Sequence, residues 1–426
     1  MEKGAKSATT AQRAKNYIFS SCKYVRNFAM WLLISAVIGV VGGVVGSLFH
    51  ITVDFATNTG TSHPNLLYLL PVGGLVIALI YKITDMVGKN TNDVIDSIHD
   101  GSPVPVMLIP AIFISTAITH LLGGSAGREG AALQIGGGIG YRVGEGLHLS
   151  EKSMRLATLC GMSAVFSALF GVPLTATVFA LEFISVGVIY YSGFVPCLCA
   201  SIVALEISLL FGIEPTKFLI LSPSLEPVML VKVCVLAALT AVVSIAFCEA
   251  MRLSGMFAKK IKNIYVRIAA GGVLVAGAAL ALGTRDYCGL GMDIVESAIE
   301  QGECNPEAFF FKILFTAVTI GFGYKGGEIV PTFFIGATFG CFAGSLLGIP
   351  AGFGAALGLV GMFCGAVNCP IASILLGTEL FGSAGLPYFA AMSAIAYVLS
   401  GYFGIYSSQK IVYAKTRAEF IDRFTH

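Results

Sequence analysis

No Lys, Arg, Asp or Glu interrupts residues 28–53, and apolar stretches of similar kind recur almost without pause as far as residue 399. About 20 apolar residues in a row suffice for a helix to cross a bilayer. Counted over the whole chain, 56% of residues are hydrophobic and 12% are charged. A soluble domain carries about 25% charged residues. A soluble enzyme is therefore excluded, and so is a disordered chain, which needs high charge and few aromatics. The net charge of +2 supplies no global field for nucleic acid. The fold class expected is an all-α membrane protein with much of its surface in lipid.

Charge outside the apolar stretches gives an orientation. Lys3, Lys6, Arg13, Lys15, Lys23 and Arg26 face a single early acid, Glu2. Basic flanks stay in the cytoplasm, so 1–27 reads as a cytoplasmic segment rather than a signal peptide, whose apolar core would be shorter. Arg252, Lys259, Lys260, Lys262 and Arg267 form a second basic run without an acid. The expected organisation is a first membrane repeat over 28–251, a cytoplasmic linker over 252–267, and a second repeat with a short tail over 268–426.

The halves are related. Asp93-Val-Ile-Asp-Ser97 recurs 200 residues later as Asp293-Ile-Val-Glu-Ser297, and Gly123, Gly127, Ile135, Gly136, Gly140, Gly144, Gly161 and Met162 all have counterparts at the same offset. Pro173 and Glu182 recur at Pro370 and Glu379. Glycine and proline break many of the apolar stretches, and irregular backbone at membrane depth is tolerated only where it lines a protein cavity. Repeated halves with broken helices mark transporters whose substrate sits near the midplane.

One pair of matched segments carries chemistry. Gly123-Gly-Ser-Ala-Gly-Arg-Glu-Gly130 precedes an apolar helical stretch, and Gly323-Tyr-Lys-Gly-Gly-Glu-Ile-Val-Pro331 precedes its counterpart. Glycines allow close backbone approach, and Pro331 suits a first helical turn. Two helix N-termini aimed inward make a site for a small anion. Glu129, at the start of one of them, reads as a gate: its carboxylate and a free anion contend for one pocket, so anion entry is linked to proton uptake. The plainer alternative is a pair with Arg128 or a helix cap. Arg128 itself reads as a structural or electrostatic neighbour. Glu328 is a second proton candidate or a local cap, with Lys325 as a potential partner.

Other signals are bland. Glycines spaced by four over 136–144 and 336–344 suit close helix packing. Glu182 and Glu379 read as paired structural acids. His120 lies in an apolar run and reads as a packing histidine. The eleven cysteines are scattered without metal-ligand spacing. No nucleophile–base pair, phosphate loop or metal motif is present, so no enzyme activity, cofactor or metal is expected.

The motifs as they stand resemble the CLC family of anion channels and anion/proton exchangers. Gly127-Arg-Glu-Gly130 with Gln134-Ile-Gly136 is similar to the family's glutamate-gate motif. Gly326-Gly-Glu-Ile-Val-Pro331 is similar to its second anion motif, Gly401-Tyr-Phe-Gly-Ile-Tyr406-Ser to the segment with its pore tyrosine, and Pro173 to Glu182 to a further signature. The resemblance implies an inverted repeat of tilted helices in a homodimer with one pore per subunit. It also implies anion ligands at Asn90, Gly130, Ala131, Glu328, Ile329 and Tyr406, within motifs marked by Gly88, Gly127, Arg128, Gly326, Gly327 and Pro331.

The departures are specific. Asn90 replaces the family's serine, Ala131 a proline, Glu328 an apolar residue, and Phe183 the inner proton-transfer glutamate. Together they resemble the family's fluoride/proton antiporter branch. Fluoride holds water tightly and needs strong donors. The Asn90 amide and the N–H that Ala131 has and proline lacks would supply them. The expectation is a bacterial inner-membrane antiporter expelling fluoride, with a chloride/proton exchanger or chloride channel on the same fold as the alternative.

Overall fold

Two matched series of helices follow each other along the chain. The computed structural model describes the backbone of residues 10–426, with side chains from Cys22 onward; residues 1–9 of the basic segment 1–27 lie outside the described residues. The first series comprises α1 (Thr10–Ser62), α2 (Leu70–Ile83), α3 (Thr91–Asp100), α4 (Leu108–Leu121), α5 (Glu129–Gly146), α6 (Glu151–Phe170), α7 (Pro173–Glu182) and α8 (Phe194–Leu210). The second comprises α9 (Pro227–Lys259), α10 (Ile264–Leu282), α11 (Met292–Glu296), α12 (Ala308–Gly321), α13 (Ile329–Leu346), α14 (Ala351–Val367), α15 (Pro370–Phe381) and α16 (Leu386–Leu399). In the second series α11 continues into a π-helical turn, Ser297–Gln301.

This series corrects the expected boundaries. The helices α4, α5 and α6 begin at 108, 129 and 151, and α12, α13 and α14 begin at 308, 329 and 351. The counterpart of α1 is therefore α9, and the second series starts at Pro227 rather than at residue 268. The basic run expected as a linker over 252–267 is helical through Lys259 and again from Ile264. The α9 helix outlasts its apolar stretch because lysine and arginine are good helix formers and carry their charges out along long stems. Only residues 260–263 connect.

Equivalent stop signals shape both halves. Gly171 ends α6 in the left-handed conformation (φ 70°), and Asn368 ends α14 likewise (φ 58°). Both are residue types that tolerate this region. Pro173 and Pro370 then open α7 and α15 at the first helical turn. The chain is thus broken in mid-protein at equivalent places.

The core is made by α5 packed on α6 and α13 packed on α14, all largely buried. Contact there is backbone to backbone. A Cβ on Gly136 would fall 2.3 Å from the Gly161 carbonyl oxygen, and one on Gly336 2.4 Å from that of Gly358. The outer helices α1, α2, α8, α9 and α10 keep large apolar side chains exposed, among them Val37, Phe55, Ile83, Leu210 and Val242. Among the described residues, seven helical segments are long and apolar enough to cross a membrane. Shorter helices such as α4, α7, α12 and α15 reach only part of that length. This is an integral membrane protein built from whole and partial spans.

A small sheet was not foreseen. The strand β1 (Ser185–Val186) pairs in parallel with β2 (Lys410–Tyr413), which pairs antiparallel with β3 (Phe420–Phe424). It ties the C-terminal segment under α7. Gln409 donates to the carbonyls of Phe183 and Val367, both at 2.8 Å. The position of Tyr406 is thereby fixed against the ends of α7 and α14.

Candidate functional site

The two glycine-rich segments meet. Gly127 and Gly327 form an isolated antiparallel bridge, with each N–H donating to the other's carbonyl at 2.7 and 2.6 Å. Neither position has room for a side chain. A Cβ on Gly327 would lie 2.6 Å from the amide nitrogens of both Glu129 and Gly130, and one on Gly127 2.3 Å from Glu129 Oε2. A Cβ on Gly326 would lie 2.6 Å from that of Ala126. The bridge brings the first turns of α5 and α13 together, where helix amides have no partner within their own helix.

Glu129 is fully buried, with 0% exposure. Its Oε2 accepts the amides of Val330 at 2.9 Å and Arg128 at 3.1 Å, while Oε1 has no partner among the described residues. The carboxylate therefore crosses from α5 onto the N-terminus of α13, where helix polarity favours negative charge. It makes no pair with the Arg128 guanidinium. Arg128 reaches instead to Asp54 on α1 at 2.7 Å, which also receives His50, and its guanidinium lies over Phe170.

Glu328 stands in a matching relation to the other helix. Its Oε2 lies where a Cβ on Gly130 would approach within 2.8 Å, and it too has no hydrogen-bond partner among the described residues. The expected partner is elsewhere: Lys325 Nζ donates to the Lys89 carbonyl at 3.2 Å and lies over the Tyr81 ring, and makes no ion pair with Glu328. Each half thus sends one acid toward the first turn of the other half's helix.

A cavity of about 150 Å³ opens beside Glu328, lined also by Asn90, Gln134, Lys325 and Tyr406. The Tyr406 hydroxyl is buried without a hydrogen-bond partner among the described residues, and its ring packs edge-on to Phe183 at 5.0 Å. Asn90 caps α3, its Oδ1 accepting the Asn92 amide at 2.8 Å. Gly88 precedes this cap with φ 88°, a conformation suited to glycine. Ala131 and Ile329 are fully buried in the two first turns, and Pro331 follows Ile329 within α13.

One polar residue at the cavity, Gln134, had not been singled out as a site residue. Gln134 donates to Thr91 Oγ1 at 3.1 Å and to the Gly130 carbonyl at 3.3 Å, while its Oε1 has no partner among the described residues. The only sequence signal was an amide among the small and apolar residues 130–140 of α5.

On the Arg128 side lies a larger cavity of about 850 Å³, lined by Asp54, His120, Arg128 and Arg285 among others. Arg128, before the α5 start, lines the larger cavity, and Gly326 and Glu328, before the α13 start, line the smaller one.

Fold and site together define an all-α membrane protein in which two helix N-termini from related halves meet at a glycine bridge. The chain matches the family described as voltage gated chloride channel over residues 72–401, and it belongs to that family, the CLC anion channels and transporters. Its members are transporters and channels rather than catalytic enzymes, and the transport is of anions and protons. A Pseudomonas syringae pv. tomato protein named chloride/fluoride channel protein is 34% identical over 399 residues, covering 91% of this chain and 88% of that one. The H(+)/Cl(-) exchange transporter ClcA of Vibrio vulnificus is 24% identical, covering 82% and 81%. Among solved structures, a CLC-type fluoride/proton antiporter superposes with a TM-score of 0.87 at 30% identity, covering 89% of this chain and 98% of that one.

Proposed function

We propose that this protein is a fluoride/proton antiporter that expels fluoride, gated by Glu129. One observation carries the reading: the Glu129 carboxylate holds the Val330 amide at the α13 N-terminus, the kind of donor a free anion needs. Two anions do not share one donor set. Protonation neutralises the carboxylate and frees the amides, so an anion enters as a proton is taken up. Glu328, beside the α5 first turn, carries protons on the other side of the bridge, because Phe183 cannot titrate. Fluoride is favoured by strong donors near the path: the Asn90 amide, the N–H groups of Gly130, Ala131 and Ile329, and the Tyr406 hydroxyl. The similarity to a fluoride/proton antiporter at 30% identity supports the same choice. The protein acts as a homodimer with its N-terminus in the cytoplasm of a bacterial cell.

The test is reconstitution in liposomes with fluoride, chloride and pH followed together. A fluoride gradient is expected to drive protons uphill. Chloride flux equal to fluoride flux rejects the selectivity, and halide flux without proton movement rejects antiport in favour of a channel.

A further inference from the structure

The larger cavity contains a base that packing does not explain. His120 lies in the last turn of α4 and is 1% exposed. Its Nδ1 bonds the Thr116 carbonyl at 2.8 Å. A carbonyl only accepts, so Nδ1 carries the hydrogen and the neutral ring keeps its lone pair on Nε2. That atom is buried and has no hydrogen-bond partner among the described residues, although His120 lines the cavity. Burying an unpaired polar nitrogen is costly, and a leucine would fill the space without that cost. A tautomer fixed from behind, with the basic nitrogen left free, is the arrangement of a proton acceptor.

The surroundings suit that role. Arg128 lines the same cavity and directly precedes Glu129, whose free Oε1 is sealed from bulk solvent. From α1 come His50 and Asp54, joined to each other and to Arg128. From α12 comes Lys312, held by the carbonyls of Tyr287, Gly289 and Leu290. The segment between α10 and α11 adds Arg285, whose Nη2 donates to the Gly60 carbonyl, and the exposed carboxylates of Asp286 and Asp293 at the cavity wall. Carboxylates exposed around an interior imidazole collect protons from dilute solution.

We propose that His120 is the proton-relay residue of this vestibule, passing protons through cavity water to Glu129. The inference rests on the proton-coupled reading above. An N–H bond forms at Nε2 as hydronium gives up its proton. That bond then breaks as an O–H bond forms on the Glu129 carboxylate, and the ring returns neutral with Nδ1–H unchanged.

The experiment uses the full chain in liposomes, as wild type, His120→Leu and His120→Asn, with fluoride efflux followed at equal, clamped pH on both sides. Both variants are expected to slow efflux on the order of ten-fold, less than the hundred-fold or more typical of removing a general base outright, because water still reaches the gate. Halide affinity stays unchanged. Added imidazole restores the rate and pyrazole, a similar ring too weakly basic to carry the proton, does not; a merely structural defect gives no such distinction. Wild-type rates in either monodisperse variant, or slowed rates that imidazole fails to restore, overturn the relay alone. A wild-type protein that moves no protons with fluoride or chloride overturns antiport, and the relay with it.

Discussion

Glu129 and Val330 stand 201 positions apart, and the carboxylate of one accepts the amide of the other at 2.9 Å. The acid comes from the first half and the donor from the second, so the bond exists only when both halves are folded together. Under the proposed antiport, this carboxylate stands where the transported anion would bind. Glutamine keeps its shape and removes its charge and its proton. Glu129→Gln is expected to abolish halide-driven proton movement while halide flux continues, read with pH and halide electrodes on liposomes. Proton coupling at the wild-type level in this variant refutes the gate.

Selectivity is expected to depend on Asn90. Its Oδ1 caps α3 through the Asn92 amide, and serine is about as good an N-cap. Asn90→Ser therefore spares the helix and removes an amide donor from the cavity shared with Glu328 and Tyr406. The fluoride-to-chloride flux ratio should fall about ten-fold, equivalent to about 1.4 kcal/mol. A ratio equal to wild type assigns fluoride preference elsewhere.

The Gly127–Gly327 bridge makes a steric prediction. An added methyl at 327 meets two amide nitrogens at 2.6 Å, while one at 127 meets the Glu129 carboxylate at 2.3 Å. Backbone cannot step aside cheaply, whereas a side chain can. Gly327→Ala should cost about 1–3 kcal/mol, as overpacking does, and lower the thermal midpoint in detergent. Gly127→Ala should leave the midpoint closer to wild type and change proton coupling, because the Glu129 side chain is what moves. Equal midpoints and unaltered coupling in both would show that the bridge is looser than its distances indicate.

The site was more legible in the sequence than the boundaries were. Gly127, Glu129 and Pro331 each have a local reason to be where they are, and the 200-residue repeat places the two segments in register. That they touch is tertiary, but equivalent helix starts in related halves made it an economical expectation. The linker expected over 252–267 differs from the observed helix bounds for a definite reason: the basic residues 252–259 favour helix as well as cytoplasm, so charge did not mark the end of α9. Lys325 was expected on Glu328 because the two are close in sequence, yet the Lys89 carbonyl and the Tyr81 ring hold it. Nothing local encodes partners from 236 residues away. The three-stranded sheet was missed because β1 has only two residues and needs the C-terminus to pair.

Glu182 and Glu379, expected as paired acids, are paired through helices rather than with each other. Glu182 ends α7 and accepts the amides of Ile371 and Ala372 at 3.2 and 2.9 Å, capping α15; Glu379 lies on α15 and accepts those of Leu174 and Thr175 at 3.0 and 2.8 Å, capping α7. Both helices open with proline and lack a side-chain cap from their own N-cap residues, Val172 and Cys369. Each therefore depends on the other's acid. Removing the Glu379 carboxylate strands the part-buried Thr175 amide and the exposed Leu174 amide, so the cost falls at the low end of the about 1–3 kcal/mol of a buried unpaired donor. Glu379→Ala is expected to lower stability by about that amount, with the fluoride-to-chloride ratio unchanged because neither acid touches the bridged helix starts. Thermal unfolding in detergent, paired with liposome flux, checks both parts. An unshifted midpoint means the α7 amides find partners without Glu379, and the reciprocal cap then has no energetic role.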